Sequence, residues 1–190
     1  FSATRRATVA ESMWTISDIA ATGPLAGVRV LDMSSVVMGP LATMMLADMG
    51  ADVIKVENKA GTHAGDMMRY AGASPTGDLG PIFMALNRNK KAVTIDGRDE
   101  LGKAQLETLL KDADVFFHNV RMAGMERLGL DYDSVRKINP GIIYIHCCGY
   151  GADGPYGKRQ AYDDLVQAAS GWADLYAKRS NGAPAYTPSL

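Results

Sequence analysis

One stretch limits the possible folds of this chain more than any other: Gly27-Val-Arg-Val-Leu-Asp-Met-Ser-Ser-Val-Val-Met-Gly-Pro-Leu-Ala-Thr-Met-Met-Leu-Ala-Asp-Met-Gly-Ala-Asp-Val-Ile-Lys-Val-Glu57. It predicts a strand over Val28–Met33, a loop, a helix opening near Pro40, and a second strand over Val53–Val56. Proline suits a first helical turn, where its missing N–H has no partner to lose. Leu41, Met44 and Met45 form the apolar stripe of that helix, and Gly50 is a natural stop. Ligands on sheets of this kind bind where strands end and helices begin. Yet the loop Ser34-Ser35-Val36-Val37-Met38-Gly39-Pro40 lacks the Gly-x-Gly-x-x-Gly fingerprint that lets backbone approach a pyrophosphate. That argues against NAD.

The pattern repeats downstream. Strands are predicted over Ala92–Ile95, Val115–Phe117 and Ile142–His146. A helix from about Asp99 places Leu106, Leu109, Leu110 and Ala113 on one face. Asp131 or Asp133 is positioned to cap a short helix through Val135 and Ile138, and a last helix near Tyr162 is expected to bury Leu165, Ala168, Ala169 and Trp172. Asn58 to Leu79 has no period and is expected to be a long loop. Strands alternating with helices predict an α/β fold, a Rossmann-like doubly wound parallel sheet. Residues 24–190 are expected to form this domain, incomplete at its C-terminal end, after an extension or linker over 1–23.

Twenty Lys and Arg against 21 Asp and Glu leave a net charge of −1, so no global field points to nucleic acid or an anionic membrane. No apolar run approaches the roughly 20 residues of a membrane span. The two cysteines, Cys147 and Cys148, are adjacent, which suits neither an ordinary structural bridge nor a zinc site. A cytoplasmic, reducing setting and no metal are expected.

His63, His118 and His146 lie in three separate segments; any could titrate near neutrality, though a packed histidine is the simpler reading of His146. No Gly-x-Ser-x-Gly elbow is present, which disfavours a serine hydrolase. Lys55, Lys59, Arg69, Lys90, Lys91, Arg98, Arg121 and Arg127 recur near strand ends, where cations grip phosphates. The apolar loop Val36-Val37-Met38 suits a flat ring or a pantetheine arm, or simple packing beneath the helix. Tyr162-Asp163-Asp164 opens the last helix, where a carboxylate is favoured by the helix dipole.

Taken in order, Pro24-Leu-Ala-Gly-Val-Arg-Val-Leu-Asp32, Leu46-Ala-Asp-Met-Gly-Ala-Asp-Val-Ile-Lys-Val-Glu57, Gly65-Asp66, Asn87-Arg-Asn-Lys-Lys-Ala-Val93, Ala113-Asp-Val-Phe-Phe-His-Asn119, Glu126-Arg-Leu-Gly-Leu130, Gly149-Tyr-Gly-Ala-Asp-Gly-Pro-Tyr156 and Ala161-Tyr-Asp-Asp-Leu-Val-Gln-Ala-Ala-Ser-Gly171 resemble a family III CoA-transferase. That group includes formyl-CoA, carnitine and bile-acid CoA-transferases and α-methylacyl-CoA racemase. The resemblance implies the large-domain half of an interlocked homodimer, with coenzyme A or an acyl-CoA as substrate, a carboxylic acid as partner, and no permanently bound cofactor.

By position, the resemblance places Val36, Val37 and Met38 along the adenine and pantetheine path. Asn58 (where a basic residue is often found), Lys59, Ile95, Arg98, Asn119 and Arg127 would hold the nucleotide and its phosphates, and Tyr162 with Asp163 would face the acyl acceptor. The resemblance also implies an aspartate nucleophile, expected just after Leu190. Its carboxylate attacks the thioester to give an anhydride and CoA thiolate; the thiolate then returns to leave an aspartyl thioester, from which the acceptor acid takes the coenzyme. A racemase, which needs a base at the α-carbon, is the alternative within the family, but Tyr162 replaces the histidine of its histidine–aspartate pair. A non-catalytic CoA-binding module or fragment is the alternative from another class.

Overall fold

Five strands hydrogen-bond in the order β3-β2-β1-β4-β5, all parallel, so the earliest strand lies at the centre and the chain reverses its direction of travel between β1 and β4. The computed structural model describes residues 22–58, 64–180 and 182–187. The elements are β1 (Arg29–Met33), α1 (Met38–Asp48), β2 (Asp52–Glu57), a 3₁₀ turn (Met67–Tyr70), α2 (Pro81–Leu86), β3 (Lys90–Thr94), α3 (Glu100–Lys111), β4 (Val115–His118), α4 (Met122–Leu128), α5 (Tyr132–Ile138), β5 (Ile143–His146), α6 (Asp163–Ala169) and α7 (Trp172–Ser180). The chain divides into two compact units, Phe1–Cys147 with the sheet and Cys148–Leu190 with the last two helices.

Alternation along the strands builds both layers of the first unit. Val30, Val53, Val115 and Phe117 face one side, where they pack with Ala47 of α1. Leu31, Ile54 and Phe116 face the other, under Leu106, Leu109 and Leu110 of α3, Met125 of α4 and Val135 of α5. A parallel strand covered on both faces carries apolar side chains at consecutive positions. Each such side chain contributes roughly 1.5–3 kcal/mol on full burial. Caps fix the helix starts: Asp99 accepts from Gly102 N–H at 2.6 Å, and Asp131 accepts from Ser134 N–H at 3.1 Å.

A buried charge cluster locks β1 to α1 and β3. The Asp32 carboxylate is wholly buried and accepts from the Thr43 hydroxyl at 2.6 Å, from Ser34 N–H at 2.8 Å and from Lys90 Nζ at 3.1 Å. Lys90 completes its shell on Pro40 O and Asn87 Oδ1, each at 2.9 Å. Burial pulls the Lys90 pKa down, and Asp32 only partly offsets this. Around the cluster, Arg88 and Asn89 hold Asp48, while Lys91 bonds Asp52 at 2.6 Å. The segment Asn87–Lys91 is therefore a clip that fastens β3 to α1 and β2.

Several boundaries differ from the sequence expectation. β3 starts at Lys90 rather than Ala92, so Lys90 and Lys91 open a strand, away from the edge where ligands gather. Helices α2 and α4 are additional, each too short to show a period, and the long loop holds a 3₁₀ turn capped by Asp66. The last helix is two, broken at Gly171, where φ is +78°. Leu165, Ala168, Ala169 and Trp172 are exposed, contrary to the expectation that they are buried. In that unit Gln167, Ala173 and Ala177 turn inward instead, and Gln167 ties Thr187 by its Oε1 and Nε2. A helical stripe marks a face but does not say what layer covers it.

The cluster sets a stability test. Lys90→Met leaves the Asp32 charge buried with no cation and is expected to cost about 3–5 kcal/mol in urea unfolding. Arg88→Ala, in the exposed pair with Asp48, is expected to change stability far less. Equal effects from the two substitutions would refute the central role of Asp32.

Candidate functional site

A cleft of about 280 Å³ opens at the carboxyl ends of β1, β2 and β3. Met33, Ile95, Leu106, Val120 and Leu128 give it an apolar floor; Ser34, Ser35, Asn58, Asp96, Gly97 and Arg98 give it polar walls. Its size suits one end of an elongated ligand. Its place follows from topology, since loops after parallel strands meet beside the reversal between β1 and β4.

The loop after β1 forms one wall, and side chains from three separate parts of the chain hold its backbone. Lys55 Nζ donates to Ser34 O at 2.8 Å. Asn119 spans Ser35, with Oδ1 accepting from its N–H at 3.0 Å and Nδ2 donating to its C=O at 2.8 Å. Asp66 Oδ1 accepts from Val36 N–H at 3.2 Å. Gly39 lets α1 lie against this loop, because a Cβ there would strike Ser34 Cβ and Oγ.

Below the loop runs a chain of buried charges. Lys55 and Asp66 pair at 3.0 Å, both almost fully buried. Arg69 forks onto Glu57, with Nε at 2.7 Å, while Asp66 N–H donates to Glu57 at 2.9 Å. Burial pushes the Glu57 carboxyl up, but the Arg69 bonds, the Asp66 N–H and Lys55 together bring it below the usual glutamate value. Arg69 also lies 3.8 Å above the Phe83 ring. Glu57 ends β2, the place from which an acidic residue grips a ribose in dinucleotide-binding folds. Here both its oxygens are already engaged.

Of the residues singled out in the sequence, Asn58, Ile95 and Arg98 line the cleft together. Arg98 is exposed and forks onto Asp96 at 2.7 and 2.8 Å, which raises its pKa. Asn119 stands behind the loop rather than in the lining, its amide engaged by Ser35. Val36 and Val37 are half-buried, and Met38 begins α1 exposed; none of the three lines the cleft. Arg127 is exposed on α4. Lys59 and His63 lie outside the described residues.

In the second unit, Tyr162 sits exposed at the helix cap, and Asp163 Oδ2 accepts from Gln167 Nε2 at 2.5 Å. Lys55, Arg69 and Lys90, expected as phosphate grips, are spent on Asp66, Glu57 and Asp32. Among the described residues no group of three His, Cys, Asp or Glu could hold a metal, and no helix is long and apolar enough to cross a membrane.

His118 and His146, at the ends of β4 and β5, stack with centroids 4.7 Å apart. Tyr144 donates its hydroxyl to Leu130 O, so His118 carries its proton on Nε2 and donates to Tyr144, each bond being 2.9 Å. Burial, and then the neighbouring His146, push the His118 pKa down to about 4. His146 is also lowered, mainly by burial. Both shifts favour the neutral imidazoles.

The sequence pattern of CoA-transferase family III matches residues 25–189. This chain belongs to that family. It is 40% identical over 158 residues to a succinate–glutarate CoA-transferase of Agrobacterium fabrum, covering 80% of this chain and 39% of the relative. It is 42% identical over 148 residues to a probable fatty acyl-CoA transferase of Mycobacterium tuberculosis, covering 78% and 37%. A crystal structure of a CaiB/BaiF family protein from Brucella suis superposes with a TM-score of 0.74 at 37% identity, over 80% of this chain and 40% of that one. The family III chain described here thus spans less than half the length of these relatives.

The buried imidazole sets a pH test. Because His118 takes its proton near pH 4 when folded but near 6.5 when unfolded, acid favours the unfolded state. Stability is expected to fall as pH drops from 6.5 towards 4, by up to about 1.4 kcal/mol per pH unit from this residue. His118→Gln should flatten urea midpoints between pH 7 and 5, leaving the smaller contribution of His146. An unchanged slope would show that His118 does not titrate in this way.

Proposed function

We propose that this chain supplies the coenzyme-A-binding half of an enzyme that moves the coenzyme from an acyl-CoA to a carboxylic acid. The observation that carries the reading is the cleft at the carboxyl ends of β1, β2 and β3, in a chain of family III, with an apolar floor and Arg98 at its rim. The apolar floor suits an adenine ring, and the rim suits phosphate, through charge-assisted bonds from Arg98 and polar contact with Asn58. In this reading Ile95 packs on the ring, Lys59 and Arg127 add positive charge for the phosphates, and Val36, Val37 and Met38 border the path of the pantetheine arm. Tyr162 and Asp163, in the second unit, are the candidates for contact with the acceptor acid.

Engagement of Glu57 by Arg69 and Asp66 favours this reading over a nicotinamide cofactor, which would need that carboxylate for its ribose. Within the cleft, Glu57 and Asp66 are each held by a cation, so neither is proposed as the attacking group. An aspartate elsewhere in the assembled enzyme forms the anhydride and then the thioester, and the active form is a homodimer working in the cytoplasm. Residues 24–190 act as the coenzyme-binding domain of that enzyme. The related succinate–glutarate enzyme of Agrobacterium fabrum makes a dicarboxylate a sensible first acceptor to test.

Calorimetry on the full-length protein provides the check. Coenzyme A is expected to bind and NADH not to, while Arg98→Ala should weaken the coenzyme about tenfold through one lost charged hydrogen bond. Binding of NADH without binding of coenzyme A would overturn the assignment.

A further inference from the structure

Only two residues other than glycine have positive φ among those described, Val36 at 76° and Asn89 at 62°. Asparagine tolerates that region; a β-branched side chain is a genuine outlier there. Strain of this kind persists only where surrounding groups over-determine the backbone, and it gathers at ligand sites. Val36 meets both conditions. Ser34 and Ser35, just before it, line the cleft. Asn119 holds both backbone groups of Ser35, Lys55 holds Ser34 O, and Asp66 holds Val36 N–H.

These three restraints differ in kind. Lys55 and Asp66 also neutralise each other below the loop, so each has a structural duty of its own. Among the described residues, the Asn119 side chain bonds only to Ser35, across 84 residues of sequence. A neutral amide that grips both the donor and the acceptor of one residue fixes the orientation of that peptide and adds no charge to the site.

We infer that Asn119 is a positioning residue: it holds Ser35 and Val36 in a ligand-ready conformation against the strain at Val36, and acts on the coenzyme only through that backbone. The inference rests on the coenzyme A reading of the cleft. It replaces a direct grip of Asn119 on the nucleotide with an indirect one. Without Asn119, Val36 relaxes towards negative φ and the wall formed by Ser34 and Ser35 moves. A glycine at position 36 would enter the same region without penalty, so it should partly restore the wall when Asn119 is gone.

The experiment is a double-substitution cycle on the full-length protein, titrated with coenzyme A by calorimetry, with thermal melting followed alongside. Asn119→Ala is expected to weaken binding about tenfold, and adding Val36→Gly to recover roughly threefold of that. Val36→Gly alone should leave the melting temperature nearly unchanged. A residue touching the ligand directly could not be rescued this way, so losses that simply multiply would overturn the inference. If Asn119→Ala does not fold, Asn119→Asp carries the same comparison; if neither folds, Asn119 is a fold staple and the inference is wrong. Failure of the unsubstituted protein to bind coenzyme A would instead refute the functional reading beneath it.

Discussion

The burial of Asp32 organises this molecule. A carboxylate with no exposure to water survives only when its charge and lone pairs are met, and here a lysine, a threonine and the following serine meet them. Each partner belongs to a different piece of the fold: Ser34 to the loop, Thr43 to α1, Lys90 to β3. One carboxylate thus sets the depth at which the helix sits, the register of the edge strand and the start of the loop. Such a cluster is weak as a source of net stability and strong as a specifier, because misplacing any partner leaves a bare charge inside.

A second ionic chain, Lys55–Asp66 with Glu57–Arg69, repeats the arrangement one step nearer the cleft. Together the two chains explain why so many cations near the strands are unavailable to a ligand. Among the described residues the rim carries an arginine forked on Asp96, with Asn58 just after β2 beside it. A cleft with an apolar floor and a wall held by buried side chains selects by shape as well as by attraction.

How far these features can be seen in the sequence depends on their range. The strands announce themselves because burial on both faces demands continuous apolar runs, and α3 because Leu106, Leu109 and Leu110 repeat at helical spacing. Helices α2 and α4, of six and seven residues, are too short for a period; their signals are a proline at the first turn and Gly129 in the left-handed region at the end. The cleft position follows from topology, and Asn58, Ile95 and Arg98 from the resemblance. The duties of Lys55, Lys90 and Asn119 escape a linear reading because their partners lie 21, 58 and 84 residues away, and a lysine near a strand looks the same whether it meets a phosphate or a buried aspartate. Misreading the last helices has another cause: apolar periodicity does not reveal which neighbour, if any, covers it.

Placing the first strand at the centre of the sheet also has a cost in time. Val30 pairs with Val53 soon after both emerge from the ribosome, but its other neighbour, Val115, follows much later in the chain. The Arg29 N–H bond to Asp114 spans 85 residues. At typical synthesis rates that is a wait of roughly 4–17 s during which one edge of β1 stays open. Lys90 emerges well before Val115, so the charge on Asp32 can be matched while the apolar edge is still bare. The nascent chain is therefore most exposed to mispairing after its ionic lock has closed and before its hydrophobic seam is complete, a window in which chaperone capture has the most to protect.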